Sequence, residues 1–215
     1  MFLYRDIMSN WVKIFIIMWL TAAGLTAAAQ HADADRARPR QRVDSITHDT
    51  DLWTCGQLIL FSSKEPVVWD EHGRVVSGML GINTLILCAD NRFREFSRGY
   101  QVSFDERGLL VSGTPAVSVE VEVQEQIVAS MPYTEVSFYP NGVVSQIVPS
   151  DGFRFTTRDG FRFSVAAGHI VDFDMYGRLR SAVVSRRRVM QKPDGTQRVF
   201  EPGDAIILNE LGRVE

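Results

Sequence analysis

Cysteine is nearly absent: the 215 residues contain two, Cys55 and Cys88. That excludes a disulfide-dense scaffold and a cysteine-rich zinc fold. Histidine is scarce too. His31, His48, His72 and His169 are scattered and no pair has metal-ligand spacing, so nothing calls for zinc. A basic excess is missing: 23 Lys and Arg stand against 26 Asp and Glu, giving a formal charge of −3 and a pI near 5.8. This argues against a general nucleic-acid binder. Past residue 50 no window carries the 3.6-residue periodicity of an amphipathic helix. There is no Gly-x-Ser-x-Gly elbow and no phosphate-cradling glycine loop.

What is present at the N-terminus has the form of an export signal. Arg5 and Lys13 precede the apolar core Ile14–Leu20, and Ala27-Ala28-Ala29 satisfies the small-x-small rule for cleavage. The uncharged run Ile14–Ala29 is 16 residues, short of the ~20 a spanning helix needs. Residues 1–29 therefore read as a signal peptide, with a retained membrane anchor as the alternative. Removing Arg5, Asp6 and Lys13 leaves 21 basic and 25 acidic residues, a net −4. The expected location is periplasmic or secreted, or, for the anchored alternative, facing outside the cytoplasm. Residues 30–50 mix charges of both signs with few apolar groups, which predicts a disordered polar spacer. In an oxidising compartment Cys55 and Cys88 can form a disulfide; equally, they can remain two packed free thiols.

From residue 51 to 215 the chain repeats itself. Turn glycines recur at Gly73, Gly108, Gly142, Gly177 and Gly212, in steps of 35, 34, 35 and 35. Six residues before each stands Val67, Val102, Val136, Val171 or Ile206, and four before stands Trp69, Phe104, Phe138, Phe173 or Leu208. Two residues is the strand period, so both sets face one side. Asp70, Asp105, Asp174 and Asn209 open four of the turns, where their side chains can bond nearby backbone N–H groups. The glycine then fits the left-handed position of a G1 bulge. A second hairpin lies within each unit, as in Phe153–Phe163 around Gly160 and Arg188–Phe200 around Gly195.

Each unit thus holds about four short strands. The predicted fold is all-β: an antiparallel β-meander of about five 35-residue repeats, as an open coiled sheet or a β-solenoid or roll. A small propeller-like ring ranks below these, because 35 residues is short for a blade.

Val136-Ser-Phe-Tyr-Pro-Asn-Gly-Val-Val-Ser145 resembles the bacterial variant of the MORN repeat, an aromatic-rich hairpin around an x-Gly turn. Phe138, Tyr139, Asn141, Gly142 and Ser145 carry the match. The other units put Asp at the second aromatic position, and the period is longer than that family's usual ~23. The resemblance implies a β-repeat scaffold with binding or envelope roles and no catalytic residues.

Candidate chemistry is thin. Asp172-Phe-Asp174 opens like a calcium loop, but the twelfth position is Val183 rather than an acid. Ser77, Ser112 and Ser181 each stand four residues after a turn glycine, and recurrence marks them as structural positions. Ser185-Arg-Arg-Arg188 is the one basic run; it reads as solvated strand charge, or as a contact for anionic polymers or lipid headgroups. Glu120, Glu122 and Glu125 read as the polar face of a strand. The expectation is an exported envelope protein, structural or binding, with an unknown protein or envelope polymer as partner and no cofactor. The alternative is a carbohydrate-active or other hydrolytic enzyme on the same scaffold. Convergent carboxylates in a cleft would mark the enzyme; an exposed apolar patch would mark binding.

Overall fold

The structure, a computed structural model, describes residues 41–157, 160–192 and 195–214. The signal-peptide reading of 1–29 and residues 30–40 of the spacer lie outside them. Among the described residues the chain is all-β, with twenty strands and no helix. β1 (Arg42–Asp44) is followed by β2 (Thr50–Thr54), β3 (Gln57–Phe61), β4 (Val67–Trp69) and β5 (Val75–Met79). Next come β6 (Thr84–Leu87), β7 (Phe93–Phe96), β8 (Gln101–Phe104), β9 (Leu110–Gly113), β10 (Glu120–Val123) and β11 (Gln126–Ala129). Then follow β12 (Val136–Phe138), β13 (Val144–Ile147), β14 (Phe153–Thr156), β15 (Arg162–Val165) and β16 (Val171–Phe173). β17 (Leu179–Val183), β18 (Arg188–Gln191), β19 (Gln197–Phe200) and β20 (Ala205–Ile207) complete the set.

Alternate hairpins go to different layers. The strands built around the turn glycines join one antiparallel ten-stranded sheet, in the order β1-β4-β5-β8-β9-β12-β13-β16-β17-β20. The intervening pairs, β2-β3, β6-β7, β10-β11, β14-β15 and β18-β19, form five separate hairpins. The sheet is open: β2 pairs with β3 and not with the C-terminal strands, so no ring closes. β1 lies inside the segment whose composition predicts a spacer. It pairs with β4 through Arg42↔Trp69, Val43↔Val68 and Asp44↔Val67. Its main-chain pairing needs little side-chain burial, and the Arg42–Asp44 ion pair, with Arg42 over the Trp69 ring, puts charge on the sheet edge.

The core lies between sheet and hairpins. Val67, Val102, Val136, Val171 and Ile206, the repeated positions six before each glycine, are at most 1% exposed. The hairpins answer with Ile59, Ile86, Val128, Phe155, Phe163 and Met190. Phe155 of β14 lies 6.2 Å from Phe173 of the sheet, ring centre to ring centre. An isolated two-stranded hairpin is marginal in water, so this packing is what holds each one.

Four places show how size is balanced across the layers. The last strand residue of a hairpin, or the residue just after it, faces the end of a sheet strand seventeen positions on. Phe61 lies against Gly78, and Phe96 against Gly113; a Cβ on those glycines would come within 2.6 and 2.7 Å of the rings. In the next units the corresponding residues are Ser130 with Ile147 and Val165 with Ala182, all buried. Large meets small in one pair of units and the sizes shift in the other pair, as close packing demands.

The turns follow local chemistry. Asp70 N–H donates to Arg74 O and Gly73 N–H to Asp70 O, with Gly73 at φ +74°. Asp70 Oδ1 accepts from the N–H groups of His72 and Arg74; Asp105, Asp174 and Asn209 repeat this at their own turns. A second bulge follows each of the first four turns, leaving Val76, Val111, Ser145 and Arg180 as the extra residue.

Candidate functional site: the outer face of the hairpin row

Both layers are stitched along the array in the same direction. At the sheet turns, a side chain of one unit donates to the same carbonyl position of the next: Arg74 to Glu106, Arg107 to Pro140, Asn141 to Met175 at 2.8 Å, Arg178 to Glu210 at 3.1 Å. Tyr139 Oη adds a bond to Phe173 O at 3.0 Å. In the hairpin row Gln57 donates to Leu85 O, Arg94 to Glu120 O and Gln126 to Arg154 O, again equivalent positions. These bonds account for the turn arginines as structure.

The same accounting absorbs most candidates. Gly73, Gly108, Gly142, Gly177 and Gly212 all sit at positive φ in sheet turns. Gly142 is also crowded, since a Cβ there would stand 2.9 Å from Ala89 O of the β6-β7 turn. Ser77, Ser112 and Ser181 fall on one row running straight across the sheet, Val68-Ser77-Ser103-Ser112-Ser137-Gln146-Asp172-Ser181. Asp172 accepts from Ser181 Oγ at 2.5 Å and Gln146 Nε2 at 2.9 Å. Asp174 faces the turn. Its partial burial opposes ionisation, but the N–H groups of Arg178 and Tyr176 and the Arg178 guanidinium outweigh this and hold the carboxyl below its ordinary value. The two carboxylates are committed to different partners and do not converge. His48, His72 and His169 are exposed, and His31 lies outside the described residues. Among the described residues no group of three His, Cys, Asp or Glu side chains has the geometry to hold a metal.

Cys55 and Cys88 are free thiols in the structure, on neighbouring hairpins. Cys55 occupies the β2-β3 turn, with Sγ 3.5 Å from Leu87 O. Cys88 is fully buried, and burial pushes its thiol up to about 11, against a smaller lowering by Arg94. A thiol so protonated is a poor nucleophile.

Among the described residues Arg94 is the one buried charged residue of the hairpin row; the fifth hairpin also has an arginine at this position, Arg198 opposite Met190, but it is exposed. Ile59, Val128 and Phe163 stand there in other units, paired with Leu52, Val121 and Phe155. Arg94 is bidentate to Asp90 at 2.6 and 2.7 Å and lies 5.1 Å from the Phe138 ring centre. Burial works against its charge, but Asp90 and Cys88 more than compensate and raise its pKa. The ion pair lies within one hairpin, and the Arg94 bond to Glu120 O ties that hairpin to the next.

The outward positions of the row are not absorbed. In strand pairing these are Asp51/Leu60 and Trp53/Leu58, Leu85/Glu95 and Leu87/Phe93, Glu120/Ala129 and Glu122/Ile127, Arg154/Ser164 and Thr156/Arg162, then Val189/Val199 and Gln191/Gln197. Trp53 is 70% exposed and Phe93 60%, with Leu58, Leu85 and Ile127 similarly open. Five large apolar side chains therefore share the outer face of three adjacent hairpins. The corresponding face of the fourth is basic. Sequence reading missed the patch because it did not separate inward from outward strands of the second hairpins; the alternation Leu85, Leu87 against Ile86, Cys88 was its signal. No family model matches the chain, and neither a curated protein nor a solved structure matches it.

Proposed function

We propose that the protein is an exported, non-enzymatic β-repeat scaffold of a bacterial envelope that binds a protein or envelope polymer through the outer face of its hairpin row. The observation that carries this is the exposed Trp53, Leu58, Leu85, Phe93 and Ile127 on one face. A hairpin row that already buries its inner face against the sheet has no structural use for large apolar groups on its outer face, and such patches mark contact surfaces. The export-signal form of residues 1–29 and the likeness of Val136–Ser145 to an envelope-associated repeat support the location. The stitched turns support a rigid scaffold, since each unit is tied to the next at the sheet turns and the first four are also tied through the hairpin row.

The test is cosedimentation of the mature chain with a cell-envelope fraction. Trp53→Ser with Phe93→Ser should reduce the bound fraction severalfold while the melting temperature stays within a few degrees, because both side chains are exposed. Unchanged binding by the double variant would remove the patch from the function.

A further inference from the structure

We infer that the cleft between the fourth and fifth hairpins is a binding site for a phosphate ester group carried on a larger molecule. The cleft is lined by Arg154 of β14, Arg162, Phe163 and Ser164 of β15, Arg186 just before β18, and Arg188 at its start. Its volume is about 120 Å3. All four arginines are exposed, and none makes an ion pair or side-chain hydrogen bond with the described residues. Arg92, Arg98 and Arg180 also make no side-chain bond with the described residues, but none of them lines this cleft, and seven other arginines are engaged. Arg42, Arg74, Arg94, Arg107, Arg178 and Arg187 each hold a carboxylate, and Arg198 lies over Phe200.

The repeat does not explain the cluster. By strand register, Arg154 corresponds to Asp51, Leu85 and Glu120, and Arg162 to Leu58, Phe93 and Ile127. Arg186 and Arg188 stand where an earlier unit has Asp151 and Phe153. Residues that recur in every unit serve the fold; these four occur once. Four like charges around one cleft repel each other, and an anion reverses the sign of that interaction. The guanidinium fork matches the oxygen geometry of phosphate, and two forks can clamp one group. Ser164 adds a hydroxyl donor, and the buried ring of Phe163 closes the inner side. The size limits the ligand. At 120 Å3 the cleft is far below the ~300 Å3 at which pockets for whole small molecules begin, so it takes a head group and leaves the remainder outside.

The site deepens the binding proposal, since it lies on the same row as the apolar patch, but its test is separate. Calorimetric titration with inorganic phosphate, against sodium acetate at matched ionic strength, should show saturable binding to the full mature chain. Each guanidinium removed should weaken it about tenfold, so Arg154→Gln with Arg186→Gln should bind about a hundredfold more weakly. Arg162→Gln with Arg188→Gln is the second variant; circular dichroism checks that both fold. Trp53→Ser with Phe93→Ser should leave phosphate binding unchanged, which separates this site from the patch. Sedimentation with phosphatidylcholine vesicles, with and without phosphatidic acid, distinguishes the source. Capture only by phosphatidic acid points to a lipid headgroup, and phosphate binding without capture points to a soluble or polymer-borne ester. Absence of phosphate binding, or equal binding by folded variants, would overturn the inference.

Discussion

Arg94 shows what a single residue can contribute inside a repeat. Its guanidinium sits where other units bury Ile59, Val128 or Phe163, and it is held by Asp90, Glu120 O and the Phe138 ring. Breaking one half of such a pair leaves a poorly solvated charge, whereas replacing both halves is close to neutral. Arg94→Val should therefore lower unfolding free energy by about 3–5 kcal/mol. Adding Asp90→Asn to it should recover a substantial part, as measured by urea denaturation. If the two changes simply add, the pair is not coupled and the arginine acts through packing alone. None of this was legible in the sequence, where Arg94 is one charge in Asn91-Arg-Phe-Arg-Glu95. The turn residues were legible, because an Asp bonding the N–H groups two and four residues on, and a glycine at positive φ, are decided within five residues.

At the scale of elements, the packing of hairpin on sheet is set by matched sizes. Phe96 meets Gly113, and the fourth unit uses Val165 and Ala182 at the corresponding positions. Gly113→Ala alone forces its Cβ against the Phe96 ring and should cost about 1–3 kcal/mol, the range for overpacking. Phe96→Val alone should also cost stability by leaving a cavity. The two together rebuild the fourth unit's pair, and should cost less than the sum of the singles by more than ~0.5 kcal/mol. Additive losses in thermal or urea unfolding would show that the ring has room to move aside. The valine and aromatic spacing predicted the sheet strands well. It did not reveal that β5 pairs with β8 across an intervening hairpin, because that choice is made by which layer each hairpin joins. β1 was hidden for a different reason: an edge strand held by main-chain bonds needs no apolar pattern.

As a whole molecule, the array is an open ten-stranded sheet backed by five hairpins, with a recurring set of forward side-chain bonds from one unit to a carbonyl of the next. Repetition explains the turn glycines and aspartates, the serine row and the turn arginines Arg74, Arg107 and Arg178. What repetition leaves over includes two features of the hairpin row: an apolar stretch on the outer face of the first three hairpins and a basic cleft between the last two, whose arginines make no ion pair among the described residues. Ser185-Arg-Arg-Arg188 was visible as a basic run, but its convergence with Arg154 and Arg162 depends on two hairpins lying side by side. The most direct measurement is hydroxyl-radical footprinting of the mature chain, free and bound to the envelope fraction. Trp53 and Tyr176 are equally open in the free chain, at 70% and 73% exposed, but Tyr176 belongs to a sheet turn. Binding through the hairpin row predicts that Trp53 and Phe93 become protected while Tyr176 is oxidised as before. Protection of Tyr176 with Trp53 left open would contradict it.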